Sequence, residues 1–182
     1  MPMNRPVIAF FCILFSAAAA SRAQVVPSAT AQRYSVTAGG LGSFYQPDYA
    51  GAGIAQNSPN HMYGIGAFVD LKVNRWVQIE AKGNWLRFNQ YLGISEDSYL
   101  IGPRLPIHRF GRATPYAKAL FGLGNGSFLD GTSFVYAYGG GVDFRVTKRI
   151  SVRAIDYEYQ QWRATPAFSP YGFSAGIGYK IF

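Results

Sequence analysis

Cysteine is almost missing from this chain of 182 residues: Cys12 is the only one, and it lies in an apolar N-terminal stretch. A lone thiol forms no intrachain disulfide, and Ala9-Phe10-Phe11 ahead of it does not resemble a lipoprotein cleavage box, so no lipid anchor is expected there. Histidine is nearly as scarce, with only His61 and His108. That leaves no Cys/His metal spacing, and the chain also has neither a P-loop nor a Gly-x-Ser-x-Gly elbow, so no cofactor and no metal are expected. Charged residues make up only 14% of the chain, and acids are the scarcer sign, 9 against 17 basic residues. Beyond Ala23 no stretch approaches the roughly 18 uninterrupted apolar residues of a transmembrane helix.

The N-terminus reads as a targeting segment. Arg5 supplies a positive start, Val7 to Ala20 an apolar stretch too short for the ~20 residues that span a bilayer, and Ser21-Arg22-Ala23 a small-x-small cleavage site. Residues 1–23 are therefore expected to be a signal peptide, 24–31 a flexible mature N-terminus, and 32–182 one folded domain. Removing Arg5 and Arg22 takes the formal charge from +8 to +6. Nucleic-acid binding is the reflex reading of such a basic protein, but export argues against it.

What the chain does contain is 21 Gly, 13 Tyr and 14 Phe, a composition that favours pleated strands and tight turns over helices. From Gln32 onward the dominant pattern is alternation with period two, the mark of a strand with two unlike faces. Between His61 and Leu71, Tyr63, Ile65, Ala67, Val69 and Leu71 share one face, while Gly64, Gly66, Phe68 and Asp70 share the other. Similar runs span Tyr34 to Phe44, Val77 to Trp85, Tyr99 to Ile107, Pro115 to Leu123, Phe134 to Val146, Ile150 to Tyr159 and Tyr171 to Ile181. Each is close to the 9 to 11 residues with which a tilted strand crosses the hydrocarbon layer.

The connections alternate in length. Short links at 72–75, 109–113 and 147–149 take turns with longer ones, rich in Gly, Asn, Ser and Pro, at 45–60, 87–97, 124–132 and 161–170. Short periplasmic turns and long external loops are the arrangement of an outer-membrane barrel. The expected fold is all-β: a single closed antiparallel eight-stranded transmembrane β-barrel, an up-and-down meander with both termini on the periplasmic side. Ten strands would require a hairpin hidden in a long loop.

Placing a Lys or Arg toward the bilayer midplane costs about 2–4 kcal/mol, so charged side chains are expected to point inward. Asp70, Glu80, Lys82, Arg104, Lys118, Asp143, Arg145, Arg153 and Lys180 fall on the non-aliphatic faces of their strands. In a narrow barrel they should pair with one another and leave no wide channel. Strict alternation through Ile150 to Tyr159 would put Arg153 inward but Asp156 and Glu158 into lipid. A β-bulge near Ile155 resets the phase and brings both acids inward; the alternative is that this half of the strand stands outside the bilayer. Pro103 and Pro106 each delete a ladder donor, which implies a local bend or bulge. Trp76, Phe144 and Tyr179 at one end, and Trp85, Phe134 and Tyr171 at the other, suit two interfacial girdles.

The C-terminal stretch Ser174-Ala175-Gly176-Ile177-Gly178-Tyr179-Lys180-Ile181-Phe182 resembles the β-signal read by outer-membrane assembly machinery. Gly176, Tyr179 and Ile181 match its spacing, with Phe182 one place beyond the usual terminal aromatic. The whole mature chain, with segments such as Thr114 to Gly122 and Gly140 to Arg145, resembles the OmpA/OmpX-like group of small outer-membrane barrel proteins. That resemblance implies the barrel alone, without the peptidoglycan-binding domain of full-length OmpA-like proteins. It further implies outer-membrane lipids, lipopolysaccharide and the assembly machinery as partners; a surface ligand stays unidentified.

Three functions follow from these patterns. The first is a non-enzymatic barrel with a role in envelope integrity or surface interaction through its long loops. The second is a lipid A-modifying hydrolase centred on His61, with Ser58 nearby, which would need a Ser-His-acid geometry. The third is a narrow passive pore. His108, beside Arg109, reads as an interfacial or phosphate-contacting group. Lys72, Arg75, Arg109, Arg112, Lys148 and Arg149 flank the short turns, so that rim is expected to be basic and to meet lipid phosphates or anionic periplasmic partners.

Overall fold

The computed structural model of the chain describes residues 34–48, 50, 61–89, 93–127, 129 and 131–181. The expected signal peptide and flexible N-terminus, with Cys12, lie outside the described residues, as do Ser58 and Phe182.

Eight strands make up the described chain: β1 (Ser35–Gln46), β2 (Met62–Lys72), β3 (Gln78–Phe88), β4 (Glu96–Pro106), β5 (Ala113–Gly126), β6 (Thr132–Arg145), β7 (Ile150–Trp162) and β8 (Tyr171–Lys180). Each pairs antiparallel with its neighbours in sequence, and β1 pairs with β8, so the sheet closes into a barrel with no free edge. The strand count is eight, not ten. Several strands run further than the alternation shows: β4 starts at Glu96 and β7 continues to Trp162. At these ends polar residues such as Glu96, Asp97, Gln160 and Gln161 blur the two-faced pattern while the backbone ladder continues.

Local chemistry closes the short turns. Asn74 Oδ1 accepts from the amides of Trp76 and Val77 at 2.7 and 2.8 Å, an Asx turn between β2 and β3. Thr147 Oγ1 does the same for Arg149 and Ile150 at 3.1 and 2.9 Å between β6 and β7. Gly111, with a φ of 60°, turns the β4–β5 link beside the Phe110–Ala113 bridge.

A bulge sits in β7. Val142 faces Ile155 but Asp143 faces Arg153, and on the other side Arg153 faces Gly176 while Asp156 faces Ser174. Ala154 is thus the extra residue, and Ala154 and Ile155 both point outward while Arg153, Asp156 and Glu158 are buried. Of the bend or bulge expected at the prolines of β4, the bulge does not occur. Ile101 pairs with Phe121 and Arg104 with Lys118 in one continuous register, so there is no bulge. The ladder to β5 simply lapses at Gly102 and Pro103, and Pro106 ends the strand.

The outer surface is apolar and exposed: Ile65, Ile101, Phe121, Leu123, Ile155 and Ile177 stand on it, with Trp76, Phe144 and Tyr179 toward the turn end and Phe134 and Tyr171 toward the loop end. Trp85 also faces outward, half-buried, its indole N–H donating to the Tyr99 hydroxyl at 2.9 Å. A continuous apolar exterior around a polar interior inverts the layout of a water-soluble protein, and it fits a surrounding bilayer.

Candidate functional site

Because alternate residues point inward, each strand delivers only a few side chains to the lumen, and these sort into layers along its axis. In the layer nearer the turns, Arg104 of β4 and Arg153 of β7 share three carboxylates. Arg104 reaches Asp70 at 3.2 Å, Glu80 at 3.4 Å and Asp143 at 2.5 Å. Arg153 reaches the same groups at 2.8, 3.2 and 3.3 Å.

Both guanidinium groups lie on aromatic platforms. Arg104 stacks over Tyr116 at 3.6 Å from the ring centre, and Arg153 over Phe68 at 3.8 Å. Space for the platforms comes from glycine. A Cβ on Gly39 would lie 2.5 Å from the Phe68 ring, and one on Gly141 would lie 2.7 Å from the Tyr116 hydroxyl.

The middle layer is built on two lysines. Lys82 contacts Asp156 at 2.9 Å and Glu158 at 3.1 Å; Lys118 contacts both at 2.8 Å and Glu80 at 3.3 Å. All five side chains are fully buried. Glu80 touches cations of both layers and joins them into one network. β3 and β7 stand opposite each other in the closed order, so the Lys82 pairs cross the lumen.

Uncharged side chains donate to two of these carboxylates, which offsets part of the cost of burying charge, while Asp70 Oδ1 is buried without a donor. Tyr116 donates to Asp156 at 2.8 Å, and Tyr45 and Gln160 donate to Glu158 at 2.9 and 2.8 Å. Toward the loops, apolar clusters share the interior with buried Ser98 and Glu96. Leu100, Leu120, Val135, Ala137, Trp162 and Phe168 form one cluster, with Trp162 stacked on Phe168 at 5.0 Å; Tyr45, Met62 and Leu86 form another.

Nine of the charged residues expected inside therefore meet in one network: Asp70, Glu80, Lys82, Arg104, Lys118, Asp143, Arg153, Asp156 and Glu158. Arg145 and Lys180 do not. Both are exposed, because they are the last residues of β6 and β8 and project past the packed layers into the turn-end mouth. There they line a cavity of about 190 Å³ together with Lys148 and Arg149.

Sequence reasoning missed Tyr45, Tyr116 and Gln160: Gln160 and Tyr116 share phase with the charged Glu158 and Lys118, while Tyr45 falls at the start of an expected loop. It also missed Glu96, buried at the start of β4. Of the expected assembly signal, Gly176 is half-buried against β1, whereas Tyr179 and Ile181 are exposed on the outer face.

Neither histidine sits in a catalytic arrangement among the described residues. The His61 ring lies 4.7 Å from that of Phe44, its Nδ1 has no hydrogen-bond partner, and its carbonyl accepts from Asn89 at 2.7 Å. His108 packs edge-on against Phe110 at 5.1 Å. Among the described residues no cluster of His, Cys, Asp and Glu is placed to hold a metal ion.

Comparison with solved structures agrees with this architecture. The chain is similar to Neisserial surface protein A, with a TM-score of 0.59 and 14% identity over 80% of this chain and 96% of that one. It is also similar to the N-terminal β-barrel domain of Pseudomonas aeruginosa OprF, with a TM-score of 0.50 and 11% identity over 81% and 97%. At these identities the likeness concerns the fold alone. No curated protein sequence matches the chain. The family described as the outer membrane protein beta-barrel domain matches residues 9–180, nearly the whole length. With its closed eight-stranded order and apolar exterior, the chain belongs to that family of bacterial outer-membrane β-barrel proteins.

Proposed function

We propose that this protein is a closed, non-enzymatic outer-membrane barrel that works through its ends, in envelope integrity or surface interaction, and not as a conduit. The observation that carries this reading is the bolted lumen. Four cations, Lys82, Lys118, Arg104 and Arg153, are shared among five carboxylates across the barrel, and apolar clusters sit above them toward the loops. Buried Trp162, Phe168 and Leu120 fill interior space on the loop side of the network, and a rigid barrel of this kind is a good base for presenting loops.

In this reading the long connections after β1, β3, β5 and β7 face the exterior, where they meet lipopolysaccharide and surface ligands. The short turns and both termini face the periplasm, the usual orientation of such barrels. Gly176, Tyr179, Ile181 and Phe182 serve as the signal to the assembly machinery. Support comes from the position of Tyr179 and Ile181 on the lipid-facing side of the closing strand.

Whole cells test the orientation and the role together. Ser127→Cys at the loop end is expected to react with a membrane-impermeant maleimide, and Lys148→Cys at the turn end to react only after permeabilisation. The reverse pattern would overturn the orientation. A deletion strain is expected to gain detergent sensitivity or lose surface attachment; a strain unchanged in both would count against the role.

A further inference from the structure

The loop side of the lumen holds apolar clusters and its middle is tied up in ion pairs, but among the described residues the turn end holds basic side chains that no ion pair engages. Its cavity of about 190 Å³ is lined by Arg145, Lys148, Arg149 and Lys180, with Thr37 and Ser151 contributing hydroxyls to the wall. Asp143 is the single acid on that wall, and Arg104 and Arg153 already hold it from below. A smaller space of about 90 Å³ adjoins, lined by Arg104, Asp70 and Asp143, so the carboxylates there are also committed to the network.

Among the described residues the side chains of Arg145, Lys148 and Lys180 make no ion pair; Arg149 only donates to the Tyr179 hydroxyl at 3.3 Å. Like charges gathered around one concave space repel one another, and the low-dielectric protein wall concentrates their field on whatever fills it.

We propose that the turn-end mouth is a binding site for a small, multiply charged anion of the phosphate class, held by Arg145, Lys148 and Lys180. The space is smaller than the 300 Å³ or so at which drug-sized ligand sites begin, which suits a phosphate or pyrophosphate group and not a length of peptide. Arginine forks grip oxyanions bidentately, and lysines add point charges around them. Several acceptor oxygens on one ligand satisfy donors that arrive from β6, the β6–β7 turn and β8. The anion's source is either soluble or the headgroup of a membrane lipid, and both carry the same chemistry.

The test uses the full folded barrel in uncharged detergent at low salt, titrated with pyrophosphate by calorimetry. One saturable site per chain is expected. Lys148→Gln/Lys180→Gln should weaken it about tenfold or more. Arg75→Gln/Arg112→Gln, which removes the same charge from turns outside the cavity, should change it less than about twofold. Retained heat-modifiable mobility on gels shows that each variant has folded.

Absence of saturable binding by the folded barrel would overturn the proposal. Equal weakening by the two double variants would overturn it as well, since it would mark diffuse surface charge. With the site established, competition by vesicles containing phosphatidylglycerol but not by pure phosphatidylcholine identifies the lipid headgroup as the source. Equal lack of competition by both identifies a soluble anion.

Discussion

Lys118→Met isolates the energetics of the charged core. The Lys118 ammonium touches Glu80 at 3.3 Å and Asp156 and Glu158 at 2.8 Å each, with its side chain wholly buried. Methionine keeps the length and most of the volume, so packing should change by less than about 1.5 kcal/mol. What is lost is the cation: five carboxylates would then face three cations, with Glu80, Asp156 and Glu158 all fully buried. Breaking a buried pair by removing one partner costs about 3–5 kcal/mol, which is the expected loss. Adding Glu158→Gln removes one of the stranded charges and restores the original imbalance of one. The double variant should therefore recover part of the loss, with a coupling of about 1–3 kcal/mol between the two sites. Denaturant unfolding of the barrel in lipid vesicles, followed by tryptophan fluorescence, measures each term. A loss below about 1 kcal/mol for Lys118→Met, or strict additivity of the two substitutions, would refute the view that the network is held as a unit.

The β7 bulge makes a contrast between two deletions. Removing Ala154 takes out the extra residue and leaves Arg153, Asp156 and Glu158 inward, so a heat-modifiable barrel should still form; removing Tyr157 throws Glu158 and Trp162 onto the lipid face and should abolish it. Gly39→Leu should also lose the folded band, because even a Cβ would stand 2.3 Å from the Ile177 carbonyl oxygen across the closing seam. Ile101→Arg, on the exposed apolar belt, should cost about 2–4 kcal/mol in vesicle unfolding, whereas Val146→Arg, exposed just past the turn end of β6, should cost less than about 1 kcal/mol. Trp162→Ala should cost about 3–5 kcal/mol by emptying the loop-end cluster.

Period-two alternation made the barrel legible because lipid and lumen impose opposite demands on successive residues. Even the bulge could be read, since Asp156 and Glu158 are too costly to leave in lipid and one extra residue is the cheapest repair. Where those demands relax, the reading blurred. Arg145 and Lys180 have inward phase but sit past the last packed layer, and phase carries no information about depth along the axis. The same limit hid the ends of β4 and β7, where both faces turn polar. The prolines show another limit: a missing donor is compatible with a bend or a bulge, and the bulge is avoided because the ladder tolerates a local lapse when register is held on both sides, at Ile101 and at Arg104. Tyr45, Tyr116 and Phe68 contribute through contacts with charges on distant strands, and only the closed barrel brings those contacts together.

A closed lumen is the claim on which the functional reading rests, and planar-bilayer recording of the refolded, full-length barrel tests it most directly. Insertion confirmed by heat-modifiable protein in the bilayer fraction, with no steady ohmic conductance, is the predicted result. A reproducible conductance step for each inserted barrel would contradict it.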